Sequence, residues 1–165
     1  MLSTILTMYI TLMPAVLAGV FNMIWCTLPV ASGLKKPIDK GKSLADGKRV
    51  FGANKTWKGF VGMILFGMLF SVIWGLLCRQ INYLQTHNFF YRQYTNTVLY
   101  NLATGFFVGF AYVLFELPNS FLKRRLGIKP GRMAKESYAP IFVFIDQADS
   151  LFGVVLVVAL FYPMS

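Results

Sequence analysis

The sequence predicts an all-α membrane protein, a polytopic bundle of about four transmembrane helices with two basic cytoplasmic loops, and three observations carry that expectation. Only 13% of the 165 residues are charged and 56% are hydrophobic, whereas a soluble globular protein carries roughly 25% charged residues. Four stretches are apolar enough to cross a bilayer, which takes roughly 20 residues at about 1.5 Å rise each. The 16 Lys and Arg, against 6 Asp and Glu, are gathered into short segments between the apolar runs. Together these features exclude a soluble enzyme, a disordered tail, a disulfide scaffold and a nucleic-acid partner. Two Cys and one His provide no zinc cluster. The chain reads as a single domain, residues 1–165.

The first apolar stretch lies within Met1–Leu34 and holds no charge. It is longer than one crossing needs, so it supplies either one helix with a kink or interfacial end at Pro14 and Pro29, or a fifth segment. Without a cation before Lys35 it lacks the basic start of a cleaved signal peptide and is expected to be retained. The second span is Gly59–Cys78, the third Gln93–Phe115 and the last about Ala139–Pro163. Gly105 and Gly109 form a G-x-x-x-G in the third, and Gly59, Gly62 and Gly67 line the second, a pattern suited to close helix packing. Trp57, Trp74 and Tyr91 fall near the expected interfaces, as packing or anchoring residues.

Orientation follows from the cations. Lys35, Lys36, Lys40, Lys42, Lys48, Arg49, Lys55 and Lys58 precede the second span; Lys123, Arg124, Arg125, Lys129, Arg132 and Lys135 precede the last. Two spans separate these groups, so both face one side, which the positive-inside rule makes cytoplasmic. The expectation is an integral protein of the plasma membrane with both termini and the Arg79–Arg92 loop outside. Cys26 and Cys78 then lie at opposite faces, too far apart for a disulfide. His87 falls on the outer side, leaving no inner histidine for a Ser-His triad.

Asp146 and Asp149 are the most informative residues. Spaced i and i+3 in a helix, they share one face, and facing lipid they would cost roughly 5 to 7 kcal/mol together. They must meet a cavity, a cation or a basic partner. One reading makes them counter-ions for a neighbouring Lys or Arg. The other makes them ligands of Mg²⁺, whose usual shell is one or two carboxylates plus substrate phosphates. Upstream, the cations of Ser120-Phe121-Leu122-Lys123-Arg124-Arg125-Leu126-Gly127 open the second basic loop, serving as a topology signal, a contact to anionic lipid or a polyphosphate site. In the first loop, Asn54 or Thr56 can cap the incoming helix, whose free N–H groups with Lys55 and Lys58 make an anion site. Pro37–Gly41 and Asp46–Arg49, including Lys48 and Arg49, form either a solvated loop or a nucleotide-contacting lid.

Taken together, Asp46-Gly47-Lys48-Arg49 with Phe51-Gly52-x-Asn54-Lys55-Thr56-Trp57-x-Gly59, then Asn119-Ser120-Phe121-x-Lys123-Arg124-Arg125-x-Gly127, then Asp146-Gln147-x-Asp149-Ser150 resemble the CDP-archaeol synthase family and, more distantly, the phosphatidate cytidylyltransferases. Ser120, Lys123, Arg124, Lys129, Asp146 and Asp149 fit the distant relatives' signature. Pro130 stands where that signature has an Asp, and Glu116 where an Asp is usual, which argues for the archaeol-type branch or a bacterial cousin. The resemblance implies transfer of CMP from CTP to a lipid phosphate, with Mg²⁺ as cofactor held by Asp146, Asp149 and, as third carboxylate, Glu116. It implies catalytic roles for Asp146, Asp149, Lys123 and Arg124. Substrate contacts fall to Asn54, Lys55, Thr56, Lys58, Ser120, Asn119, Lys48 and Arg49. CTP, the lipid phosphate and the bilayer are the implied partners, oligomerisation is left open, and the family is expected to add a helix after the last span. The alternatives are a cytidylyltransferase for ester lipids and a non-catalytic membrane protein that binds anionic lipid.

Overall fold

The computed structural model describes residues 2–129 and 139–161. Expectations for Pro130, Arg132 and Lys135, for the end of the last span at Pro163 and for the Gln147 side chain lie outside the described residues. The fold is all-helical: α1 (Leu2–Thr27), a 3₁₀ turn (Ser32–Leu34), α2 (Trp57–Gln80), the short α3 (Asn82–Thr86) and α4 (Phe90–Gln93), α5 (Val98–Arg125) and α6 (Ala139–Phe161). Helices α1, α2, α5 and α6 are each long and apolar enough to cross a membrane, so this is an integral membrane protein. The packing runs α1 on α2, α2 on α5, and α5 on α6.

Three local features explain the helix limits. Thr56 caps α2, its Oγ1 accepting from Gly59 N at 3.3 Å, and Thr97 caps α5 by accepting from Tyr100 N at 3.2 Å; each satisfies a donor that the first helical turn leaves free. Within the first apolar stretch, residues 2–27 form a single membrane helix that continues through Pro14. Pro14 has no N–H to offer Ile10, and the indole Nε1 of Trp74 donates to that carbonyl instead, at 2.9 Å, so the gap in the ladder is filled from α2. Trp74 is thus a packing residue.

The third span differs from its expected limits of Gln93–Phe115. It begins at Val98, behind its Thr97 cap, and runs ten residues further, through Pro118 to Arg125. Ser120 to Arg125 therefore form the last turns of α5 and do not open a loop. Lys and Arg are good helix formers and favour the negative end of the helix dipole. The helix stops at Gly127, whose φ of 75° permits the closing bonds Gly127 N to Arg124 O at 3.1 Å and Ile128 N to Lys123 O at 2.9 Å.

Small residues bring the helices close. A Cβ on Gly105 would lie 2.5 Å from Gly67 O, one on Gly109 2.7 Å from Met63 O, and one on Gly153 2.6 Å from Ala111 O. These are backbone-to-backbone contacts of the kind that drive association where lipid offers no hydrophobic force. Large side chains such as Leu65, Leu69, Leu99, Phe107 and Leu160 point outward, as a lipid-facing surface requires. At the end formed by the α2–α5 connection, Asn96 Nδ2 donates to Gly75 O and Gln85 Oε1, and Asn101 Nδ2 to Asn96 Oδ1, each at 2.8 Å. Tyr91 OH donates to Asn101 Oδ1 at 2.8 Å, so Tyr91 belongs to this network. Cys26 and Cys78 are both free.

Candidate active site

The site is assembled at the other end of the bundle, where both basic segments meet. Glu116, Asn119, Ser120, Lys123 and Arg124 recur at three- and four-residue intervals along α5 and so form one polar stripe on the C-terminal part of the helix. Helix α6 lies on one flank of that stripe and the first basic loop on the other.

From α6, Asp146 and Asp149 share a face, and one amide bridges them: Asn119 Nδ2 donates to Asp146 Oδ1 and to Asp149 Oδ2, both at 2.7 Å. The Lys123 ammonium pairs with Asp146. Asp149 also accepts from Ser150 Oγ at 3.0 Å, and Ser150 Oγ lies 3.3 Å from Glu116 Oε1. Glu116 in turn receives Lys55 Nζ at 2.5 Å. A continuous polar chain therefore runs Lys55, Glu116, Ser150, Asp149, Asn119, Asp146, Lys123. It holds three carboxylates and two ammonium groups, and among the described residues Asp149 has no basic partner. Asn119 is buried at 6% exposure, and among the described residues its Oδ1 has no hydrogen-bond partner.

The donor chemistry fits a hard divalent cation: two carboxylates on one helical face, one without a basic partner among the described residues, beside a buried amide oxygen. The expected third carboxylate is placed differently. Glu116 is held by Lys55 and Ser150, and among the described residues no three acidic, Cys or His side chains converge on one point.

The first loop is a folded clasp. Asp39 accepts from Arg49 Nη2 at 2.6 Å, from Gly41 N at 2.9 Å and from Phe51 N at 3.0 Å. Burial pushes its carboxyl upward, but these donors outweigh burial and hold it below the ordinary 3.8. Arg125 Nη1 pairs with Asp46 at 2.5 Å, Lys48 Nζ donates to Arg125 O at 2.7 Å, and Gly52 N donates to Ser120 Oγ at 3.0 Å. The backbone N–H of Lys48, with the Arg125 guanidinium, holds the Asp46 carboxyl low as well. Of the two residues expected at the substrate, Lys48 thus ties the loop to α5 and Arg49 closes the loop on itself through Asp39. Lys58, expected at an anion site with Lys55, is placed elsewhere. It is fully buried, its Nζ donating to Leu28 O at 2.7 Å and lying 4.7 Å from the Trp25 ring centre. A lysine one residue into α2 meets the end of α1, where free carbonyls attract a cation. Arg124 is buried at 9% exposure, and among the described residues its Nε has no partner.

Two recesses flank the polar chain. One, of 310 Å³, is bordered by Asn54, Lys55, Thr56, Glu116, Asn22 and Cys26. The other, of 550 Å³, lies between α5 and α6, with Phe115, Leu122, Phe144, Phe152 and Leu156 as apolar walls and Asn119 and Asp149 at its polar edge.

The sequence profile of the CarS-like CDP-archaeol synthases matches residues 1–165. The chain belongs to the CDP-archaeol synthase family. It is 36% identical over 129 residues to the CDP-archaeol synthase of Methanoculleus marisnigri, covering 77% of this chain and 65% of that one. It is 30% identical over 152 residues to that of Archaeoglobus fulgidus, covering 87% and 76%. With the Pyrococcus furiosus relative it shares 36% identity over 103 residues, 62% of this chain and 53% of that one. The chain thus spans about half to three quarters of the length of these relatives. A solved intramembrane enzyme of archaeal membrane lipid biosynthesis superposes with a TM-score of 0.62 at 26% identity, over 93% of this chain and 77% of the other.

Within this member of the CDP-archaeol synthase family, the α5 stripe and the α6 aspartates come together as the motifs suggested. Asn54, Lys55 and Thr56 border the smaller recess, while Lys58 stands apart. Ser150 and Arg125 stood in the quoted motifs and Asp39 in the Pro37–Gly41 loop without a role of their own, and Asn22 was not singled out. Ser150 follows Asp149 directly, and Asn22 is a lone amide in an uncharged run; both signals were present in the sequence.

Proposed function

We propose that this chain transfers CMP from CTP to a lipid phosphate of the archaeol type, giving a CDP-lipid and pyrophosphate, in a Mg²⁺-dependent reaction. The observation that carries this reading is the polar chain from Lys55 to Lys123, set between a mixed recess, whose polar side is Asn54, Lys55, Thr56 and Glu116, and an apolar groove. A polar nucleotide and an amphipathic lipid need those two environments on either side of one charged centre. Family membership supports the choice of reaction and of lipid class.

The lipid phosphate oxygen is already anionic near neutral pH, so it attacks the α-phosphorus of CTP without an activating base. Its new P–O bond replaces the bond to pyrophosphate, which leaves with the electron pair. The protein's task is to bring two anions together and absorb their charge. Asp146 and Asp149 would hold Mg²⁺, which supplies charge neutralisation at the phosphates. Lys55 and Lys123, each resting on a carboxylate, supply ammonium groups for phosphate oxygens, and Arg124 adds a buried positive charge beside Ser120. The apolar groove orients the lipid so that its phosphate meets Asn119 and Asp149. The concentration of Lys and Arg at this end argues for a site facing the cytoplasm, in the plasma membrane.

Purified protein given CTP, Mg²⁺ and either ether- or ester-linked lipid phosphate, with products read by mass spectrometry, tests the proposal. CDP-lipid should form in preference from the ether lipid and fall at least 100-fold in Asp149→Asn, a loss of about 2.7 kcal/mol in transition-state stabilisation. Turnover unchanged in that variant would refute the role of Asp149, and no product from either lipid would refute the reaction.

A further inference from the structure

We infer that the turn joining α1 to the first basic loop, residues 28–36, forms with Trp57 a docking site for the headgroup of an anionic lipid. The site stands apart from the reaction proposed above and needs only a charged bilayer.

The turn is firmly built. Leu34 N donates to Ala31 O and Lys35 N to Ser32 O, each at 3.0 Å, closing a 3₁₀ turn that is entered through Ala31 in the left-handed region, at φ 52°. Two further bonds tie it to α2: Lys58 Nζ donates to Leu28 O at 2.7 Å and Trp57 N to Lys36 O at 3.0 Å. Every residue from Thr27 to Lys36 is exposed. Leu28, Val30 and Leu34 are among them, and Trp57, bonded to Lys36, is exposed as well. These apolar side chains continue the outward surface of α1, where Met23 and Ile24 also face away from the bundle. An exposed run of this kind that ends in lysines, with an amphipathic indole beside it, belongs at headgroup depth.

Charge selects the lipid. Asp39, Asp46, Glu116 and Asp146 are taken by Arg49, Arg125, Lys55 and Lys123 respectively. Among the described residues Lys35 and Lys36 have no acidic partner, so two adjacent ammonium groups stand at the membrane surface. The phosphate of an anionic headgroup complements them; a zwitterionic headgroup brings a cation of its own and complements them less. Trp57 follows Thr56, which with Ile38 borders the smaller recess, so a lipid docked here is held beside the candidate site. Lys40 and Lys42 are also exposed, but they belong to a separate hairpin, closed by Val50 N to Lys42 O and Leu44 N to Lys48 O, each at 3.0 Å, and pinned to α5 by Arg125. They provide the control.

Native mass spectrometry of the purified protein, given phosphatidylglycerol and phosphatidylcholine with the same acyl chains, tests the site through the lipid retained. Wild type should retain phosphatidylglycerol in preference. In Lys35→Gln/Lys36→Gln that preference should fall at least about fivefold, the share of one lysine near a charged surface. Lys35→Arg/Lys36→Arg should keep it, and Lys40→Gln/Lys42→Gln, which removes the same charge from another place, should change it by less than about twofold. No preference in wild type, or wild-type preference in Lys35→Gln/Lys36→Gln, overturns the inference. So does an equal fall in both glutamine pairs, which would mean that net charge alone attracts the lipid. A rise of about tenfold in the KM for CTP in Lys35→Gln/Lys36→Gln, with lipid retention unchanged, would assign the two lysines to the nucleotide and overturn it as well.

Discussion

Lys55 and Glu116 are 61 positions apart in the chain, yet Nζ and Oε2 meet at 2.5 Å, joining the first basic loop to the start of the polar stripe on α5. About a quarter of each side chain is exposed, so the pair is partly shielded from water and screened less than a surface pair. Its separation into one charge alone should be costly. Lys55→Met is expected to destabilise the protein by about 1 to 3 kcal/mol, between exposed and buried pairs, and to lower CDP-lipid formation. The double variant Lys55→Met/Glu116→Gln should regain most of the stability and little of the activity. Thermal unfolding in detergent alongside turnover separates the two effects.

Lys58 should behave differently from Lys55. Its ammonium serves the end of α1 through Leu28 O and Trp25, so Lys58→Met is expected to lower the unfolding midpoint with little change in the KM for CTP in the protein that remains folded. A raised KM of tenfold or more would return Lys58 to the substrate site.

At the α2–α5 crossing, Gly105→Val puts a branched side chain where one Cβ already approaches Gly67 O to 2.5 Å. Overpacking of this kind costs about 1 to 3 kcal/mol, and here it separates the two helices that set the loop against α5. Lower yield and a lower unfolding midpoint are the expected outcome; Gly105→Ala should be milder.

Ala148 lines the α5–α6 groove beside Asp149. Ala148→Phe fills that space and is expected to raise the KM for the lipid phosphate about tenfold while leaving the KM for CTP unchanged, the pattern of lost ground-state binding on one substrate. Steady-state kinetics with each substrate varied in turn checks it.

Acid should loosen the loop first. The carboxyls of Asp39 and Asp46 lie below 3.8 in the folded protein, so their contribution is fully present above that value and is lost as pH falls through the lower folded-state values. Proteolysis within residues 37–56, followed as pH is lowered below about 4, should accelerate before the helices unfold. In Asp39→Asn the same segment should already be cut readily at neutral pH.

The helical class, the number of membrane crossings, the gathering of cations at one end and the shared face of Asp146 and Asp149 were legible in the sequence. Each depends on hydrophobicity, charge or helical period, quantities local to the chain. The end of α5 was not legible, because charge alone makes Ser120 to Arg125 resemble a loop while their helix propensity and the Gly127 cap keep them helical. Nor was the division among the lysines. Lys55 and Lys58 lie three residues apart, and only the packing of α1 against α2 turns Lys58 inward while Lys55 reaches Glu116. The tertiary structure alone decided that one amide, Asn119, bridges two aspartates from another helix. Such a relation depends on how α5 and α6 are set against each other, and no local pattern encodes that angle and distance.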